Sequence, residues 1–488
     1  MLHLRSRPSR RRRHVGLAVA GALAVVLVAC EDTNTTKRSD EPVVLTGADL
    51  PSLLGATPGR LVAFAHSRPD GRSTWTQIPV QVDQRKVIDY GKKPPTNGQA
   101  GVPGTVYGSG VPSGVTDLQY ADPNTWVGAD PDATFDRNDE LVFMASDGGG
   151  LVRDGEETRP AGTTGAGVAV RFTDPTATDQ RGWAYLFRST NLSPGAGKDY
   201  VRYQFRLTSG AYKPTYKRAD GPNPETSTAS TASYRLSFGD RWDDATWRID
   251  AGAATGVDVL DGYKDESADG TCGRSNRTFQ DAEGAFVANI DGPVRAIRSI
   301  IGANSGPKTQ RTNFMYRNHQ EIVTNLRVHP LPGIRDYLDL SQAARGMTYR
   351  SSTVGRAVTV DGSQDAVGTA SPVWELYTGP QGSFVSTFRL DTDFSPPYPA
   401  SGRGFPFQYV DRNDAPIRHC WGDDDLLGSS GPTALNIPST DPEDQAFGTM
   451  TVSRLISYRA PGATVADALS VAASVDKPLT VTVAPYQP

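Results

Sequence analysis

The chain has 488 residues, 37% of them hydrophobic and 21% charged, with 50 Gly, 36 Pro and only three Cys; this composition is globular and excludes a collagen-like repeat, a coiled coil and a disulfide-dense small domain. The formal net charge of −4 becomes −10 once the six Arg of the first 29 residues, a segment without acid, are taken away, so repulsion argues against nucleic acid as a partner. The length suits one large β architecture or two to three ordinary domains.

Residues 1–14 carry Arg5, Arg7 and the run Arg10–Arg13, and Val15–Ala29 is unbroken small or apolar sequence. That is the layout of an export signal over residues 1–29, with an apolar stretch too short to cross a bilayer core of about 30 Å as a mature helix. The stretch ends in Leu27-Val28-Ala29-Cys30, which resembles the lipobox of bacterial lipoproteins. The resemblance covers the first 30 residues. It implies that Cys30 receives a diacylglycerol group and that the protein is held by this lipid at the cell membrane, on the extracytoplasmic face. Residues 30–45 then read as a flexible tether, since Glu31 to Pro42 is polar and lacks apolar periodicity.

Strand signals dominate from residue 60. Arg60–His66 and Thr74–Asp83 flank the turn sequence Arg68-Pro69-Asp70-Gly71. Period-2 or apolar runs follow at 140–145, 167–173, 182–188, 199–207, 233–238, 257–260, 284–290, 294–301, 311–317 and 322–329. They continue at 347–350, 357–360, 373–377, 384–390, 449–458 and 479–483. This pattern predicts an all-β protein, a large antiparallel β-sandwich with few helices, as one extended or two smaller domains. The polar stretches 94–114 and 219–232 read as surface loops, and the second loosely divides an N-terminal β region (46–220) from a C-terminal one (233–488). The spacing predicts a helix over Thr464–Val475, capped by Thr464 and ended by Pro478, and a weaker one over Asp336–Ala344.

Sequences typical of α/β serine hydrolases, zincins, kinases and nucleotide-binding loops are absent, and no nucleotide cofactor is expected. The loop Asp130–Glu140 is the densest set of oxygen ligands, and Asp130, Asp132, Asp136 and Asn138 stand at positions from which hard oxygens can converge on Ca²⁺. A solvated acidic turn explains the same residues. Cys272 and Cys420 form the expected disulfide in an oxidising compartment, with two free thiols as the alternative.

Around Cys420 lie His419, Trp421, Asp423 and Asp424, an imidazole, an indole face and carboxylates suited either to stacking a sugar or to acid and base work. In 322–329 the residues Val323, Asn325, Arg327 and His329 share one face, and that face suits a cleft for a polar ligand, with Asp336 nearby in sequence. Trp242 and Trp247, with the acids between them, make a further aromatic patch. For each group a structural role is the competing reading. The candidate catalytic residues are therefore His329, His419, Asp336, Asp423 and Asp424, and the candidate ligand-binding residues are Trp421, Arg327, Trp242 and Trp247. Two functions fit: a non-catalytic envelope protein that binds carbohydrate or another envelope ligand, or a carbohydrate-active hydrolase or lyase.

Overall fold

The structure, a computed structural model, describes residues 33–89, 116–208, 225–239, 244–267, 284–302, 310–328, 333–392, 401–402, 406–413, 426–435 and 448–488. The first strands are β1 (Pro42–Thr46), β2 (Leu61–Ser67), β3 (Thr74–Ile78), β4 (Gln81–Asp83), β5 (Arg85–Asp89), β6 (Thr116–Tyr120), β7 (Glu140–Met144), β8 (Thr163–Asp174) and β9 (Ala177–Ser189). After them come β10 (Arg202–Gln204), β11 (Ser227–Ser230), β12 (Tyr234–Phe238), β13 (Asp244–Ile249), β14 (Leu260–Ser267), β15 (Gly284–Ile290), β16 (Ala296–Gly302), β17 (Gln310–Met315), β18 (His319–Val328) and β19 (Gly333–Leu340). The rest are β20 (Thr348–Ser351), β21 (Val354–Thr359), β22 (Glu375–Gly379), β23 (Gly382–Thr392), β24 (Ser401–Gly402), β25 (Phe407–Arg412), β26 (Leu426–Leu435), β27 (Gly448–Arg459) and β28 (Thr480–Tyr486). The helix α1 (Val465–Asp476) lies between the last two strands.

The protein is all-β and antiparallel. In the smaller sandwich the sheet β1-β7-β4 covers the sheet β28-β8-β9-β2-β3. Val43, Leu45, Leu141 and Phe143 from one sheet meet Ala63, Val170, Phe172 and Leu186 from the other, each at alternate positions, as two packed faces require. The predicted strand 74–83 is two strands in different sheets. Pro79 divides it, and the next N–H, of Val80, bonds to the Pro194 carbonyl outside any ladder. The final strand, β28, pairs with β8 along Thr480–Tyr486, so the C-terminal end of the chain completes a sheet begun near its start.

The large sandwich sets the sheet β15-β16-β17-β18-β27-β23-β22-β20-β21 against two four-stranded sheets, β10-β11-β12-β13 and β14-β19-β26-β25. The latter meet edge to edge through the Val259 N–H bond to the Trp247 carbonyl. One apolar core runs between the layers, with Leu236, Trp247, Tyr263 and Leu338 facing Ile300, Ile322, Phe384, Val452 and Ile456. The core also holds charge. Arg454 is paired with Asp336 at 3.0 Å and Glu375 at 3.6 Å, all three wholly buried, and the Tyr263 hydroxyl donates to Asp336 at 2.8 Å. Arg311 pairs with Asp265 and Arg298 with Glu225 in the same layer. Buried ions persist only when matched in this way.

Three expectations change. The segment Asp336–Ala344 is the end of β19 followed by one short 3-10 turn at Gln342–Ala344. Pairing with β14 and β26 decides the matter over local propensity there. The loop expected at 219–232 contains β11, which bonds to β10 and β12. From Thr33 on, the expected tether is fastened to the body. Asn34 donates to the Ala145 carbonyl at 2.7 Å, the Thr35 backbone and hydroxyl bond to the β9 backbone, and Pro42–Thr46 is β1, paired with β7. Polar composition hid these bonds because they use backbone groups 94 or more residues away.

Candidate functional site

The outer face of the large sheet carries a cleft of about 640 Å³, within the range of small-ligand sites. Its floor follows from strand alternation. On β18 the residues His319, Glu321 and Val323 face the cleft, while Gln320, Ile322 and Thr324 point into the core. Register then places Leu455 and Thr387 beside Glu321, and Ser453 and Arg389 beside Val323, across β27 and β23. Of the strand face read from 322–329, Val323 lines the cleft; His319 and Glu321, the other cleft-facing residues of β18, lie upstream of that segment.

Two walls close the floor. The first is α1. Thr464 caps it, its hydroxyl accepting the Asp467 N–H while Asp467 accepts the Thr464 N–H at 2.7 Å, and so the predicted helix begins where the cap places it. Ala468, Val471 and Ala472 bury against Trp374, Leu376 and Val385, leaving Asp467, Ser470 and Ser474 on the cleft side. The second wall is the strap Lys37–Pro42. Arg38 fixes it by holding the Glu41 carboxylate through Nε and Nη2, the latter at 2.8 Å. The same guanidinium donates to the Lys477 and Ser474 carbonyls at 2.7 and 3.3 Å, the unsatisfied acceptors at the end of α1.

The charges are sorted unevenly. Asp40 bonds Arg459 at 3.0 Å and Arg317 at 3.1 Å. Burial raises its carboxyl, but the two guanidinium groups outweigh that and hold it below the ordinary range. Burial pushes the Glu41 carboxyl up to about 7 in spite of Arg38. Glu321 lies 3.8 Å from His319 Nε2, and the His319 ring stacks on Tyr316 at 4.7 Å. The Thr387 hydroxyl is buried with no hydrogen-bond partner among the described residues. No hydrogen bond or ion pair engages the exposed Arg389 guanidinium or the Ser453 hydroxyl among the described residues. The floor thus offers unused donors on β23 and β27 and one lightly engaged carboxylate on β18. Sequence reasoning passed over Arg389, Thr387 and Ser453. Their signal is the polar phase of β23 and β27, where Thr387 and Arg389 alternate with Phe388 and Leu390, and Thr451 and Ser453 with Met450 and Val452.

Of the residues singled out from sequence, Asp336 is enclosed in the core on Arg454 and Tyr263, on the far side of the sheet from the cleft. Trp247 is also a core residue with no exposure; its indole N–H donates to Asp244 at 2.6 Å and its ring meets Phe384 and Tyr458 edge-on. A Trp here packs the sandwich rather than offering a stacking face. Arg327 lies on β18 opposite Thr449. His329, His419, Trp421, Asp423, Asp424, Trp242, Cys30, Cys272 and Cys420 lie outside the described residues.

In the acidic loop, Asp130 accepts the Asp132 N–H at 2.9 Å, Asp132 the Thr134 N–H at 3.0 Å, and Asp136 the Asn138 N–H at 2.9 Å. One oxygen of each carboxylate thus closes a local turn, and Phe135 is buried beneath. Among the described residues no group of three or more His, Cys, Asp or Glu is placed to hold a metal ion.

No protein-family model and no curated protein matches the sequence. Among solved structures the chain is similar to an alpha-mannosidase from Enterococcus faecalis V583, with 10% identity, a TM-score of 0.43 and coverage of 93% of this chain and 45% of that one. A protein in glycosyl hydrolase family 38 from Enterococcus faecalis gives 10% identity, a TM-score of 0.41 and coverage of 93% and 47%. The Slr1438 protein from Synechocystis sp. PCC 6803 gives 12%, a TM-score of 0.27, and coverage of 49% and 97%. The chain spans less than half the length of the two Enterococcus proteins.

Proposed function

We propose that this is a lipid-anchored, extracytoplasmic protein of the cell envelope that binds a carbohydrate or another polar envelope ligand in the cleft between α1 and the large sheet. The observation that supports binding is the set of polar groups on the floor that lack partners among the described residues, Arg389, Thr387 and Ser453, together with the lightly engaged Glu321. A folded protein leaves such groups without partners at a cost of about 1–3 kcal/mol for each one buried, which a ligand recovers. Binding is favoured over glycoside hydrolysis because that reaction takes two carboxyl groups about 5–9.5 Å apart. Of the carboxylates lining the cleft, Asp40, Glu41 and Asp467 are engaged by Arg459 and Arg317, by Arg38, and by the Thr464 cap, leaving Glu321.

A panel of envelope glycans titrated calorimetrically against the wild type and Ser470→Trp tests the reading. The indole in the variant fills the cleft from an exposed helix position. At least one glycan is expected to bind the wild type and to lose binding in the variant; equal binding to both places the ligand elsewhere and ends the proposal. Anchoring rests on Cys30, and replacing it with Ala is expected to move the protein from the membrane fraction to the soluble one. Persistence in the membrane fraction contradicts it.

A further inference from the structure

We infer that the cleft selects a saccharide bearing an oxyanion, a carboxylate or sulfate group, over a neutral one. This rests on the reading of the cleft as a ligand site and adds what the ligand must carry. Thr387 and Arg389 stand two residues apart on one face of β23, about 7 Å along the strand, and Ser453 is the register partner of Arg389 on β27. Arg389 and Ser453 present a guanidinium and a hydroxyl to one patch of floor, with the Thr387 hydroxyl buried next to them on β23. Among the described residues the Thr387 hydroxyl, buried with its residue 1% exposed, has no hydrogen-bond partner, and nothing neutralises Arg389. A guanidinium with flanking hydroxyl donors matches the geometry of a planar or tetrahedral oxyanion.

Glu321 does not compete for this patch. Register places it across β27 from Thr387, two strand spacings or about 10 Å away, beside His319. There it is an acceptor for ring hydroxyls. Donors at one end and an acceptor at the other fit a sugar acid better than a free anion, which uses only the first. The net charge of −10 reached after loss of the first 29 residues opposes an anion at long range, but a Debye length of about 8 Å at physiological ionic strength leaves the local donors in control.

The test titrates the full mature protein with oligogalacturonate, its methyl ester, a chondroitin sulfate oligosaccharide and inorganic phosphate, using wild type, Arg389→Ala, Thr387→Val and Ser470→Trp. The acidic oligomers are expected to bind about 10-fold or more tightly than the ester, as one charge-assisted contact implies. Arg389→Ala is expected to abolish that difference, and Thr387→Val, which keeps the volume of the buried side chain, to narrow it. Ester and acid bound alike, with Arg389→Ala without effect, overturns the oxyanion inference and leaves the cleft as a neutral-sugar site. Phosphate bound as tightly as the oligomers moves the assignment to a free anion. Saccharide binding that survives Ser470→Trp, or none by any protein, defeats the underlying reading instead.

Discussion

Glu41→Gln is expected to stabilise the protein at neutral and alkaline pH although it removes an ion pair. The Glu41 carboxylate is held by Arg38, yet burial lifts its pKa from 4.5 to about 7, so the pair does not repay the desolvation of the acid. Below 4.5 the folded and unfolded chains both keep the proton and the group contributes nothing to the balance. Between 4.5 and about 7 the folded chain keeps a proton that the unfolded chain has released, so stability falls as pH rises through this window. At about 1.4 kcal/mol per tenfold change, the full loss is about 3 kcal/mol. Gln resembles the protonated acid in shape and does not titrate. The variant-minus-wild-type stability, taken from urea unfolding at a series of pH values, is therefore expected to rise by about 3 kcal/mol between pH 4 and pH 8. A difference that stays flat across the window, or one that moves against the variant, refutes the reasoning.

Arg454→Met leaves Asp336 and Glu375 in the core without their cation, and a loss of about 3–5 kcal/mol is expected in the same unfolding assay; a loss below 1 kcal/mol means that these acids are satisfied by other means. At Gly47 an added Cβ would stand 1.7 Å from the Asp136 carbonyl oxygen, so Gly47→Ala is expected to cost roughly 3 kcal/mol or more, and a near-neutral result shows that the loop can withdraw. Thr464→Ala removes the cap of α1 and is expected to cost about 1 kcal/mol, with weakened ligand binding because α1 is a cleft wall; unchanged stability separates the cap from the helix. Since the acidic loop directs a carboxylate oxygen from each of Asp130, Asp132 and Asp136 to backbone N–H groups, EDTA is expected to leave the melting midpoint in place, and a lowered midpoint restores the loop as an ion site.

Legibility differed between parts of the chain for physical reasons. The strands at 284–290, 384–390 and 449–458 and the helix at 464–475 correspond to β15, β23, β27 and α1, because one buried face imprints a period of two or 3.6 on local sequence. The segments β5, β11 and β19 left weaker marks. Among the described strands β5 pairs with β6 alone, and its Val87 is exposed. β11 is four residues of Ser, Thr and Ala. β19 carries Asp336 and Asp339 into the core, where Arg454 and Lys264 meet them, so its buried face is not apolar and leaves no period-2 signal.

The candidate site shows the same division. The alternation of 322–329 made a strand face visible, of which Val323 lines the cleft, and Thr464 announced the start of a helix. That these two face each other across a cleft depends on β18 and β27 being neighbours although about 130 residues separate them, and on Arg38 tying the strap to the end of α1 across 436 residues or more. The sequence alone determined the all-β class, the strand faces and the helix, since each follows from solvent on one side of a short segment. Only the tertiary structure decided which polar residues are spent and which are left over. Arg454 and Arg389 look alike in sequence, but one is enclosed between two acids and the other opens on a cleft, and a charge takes its meaning from the partners that folding brings to it.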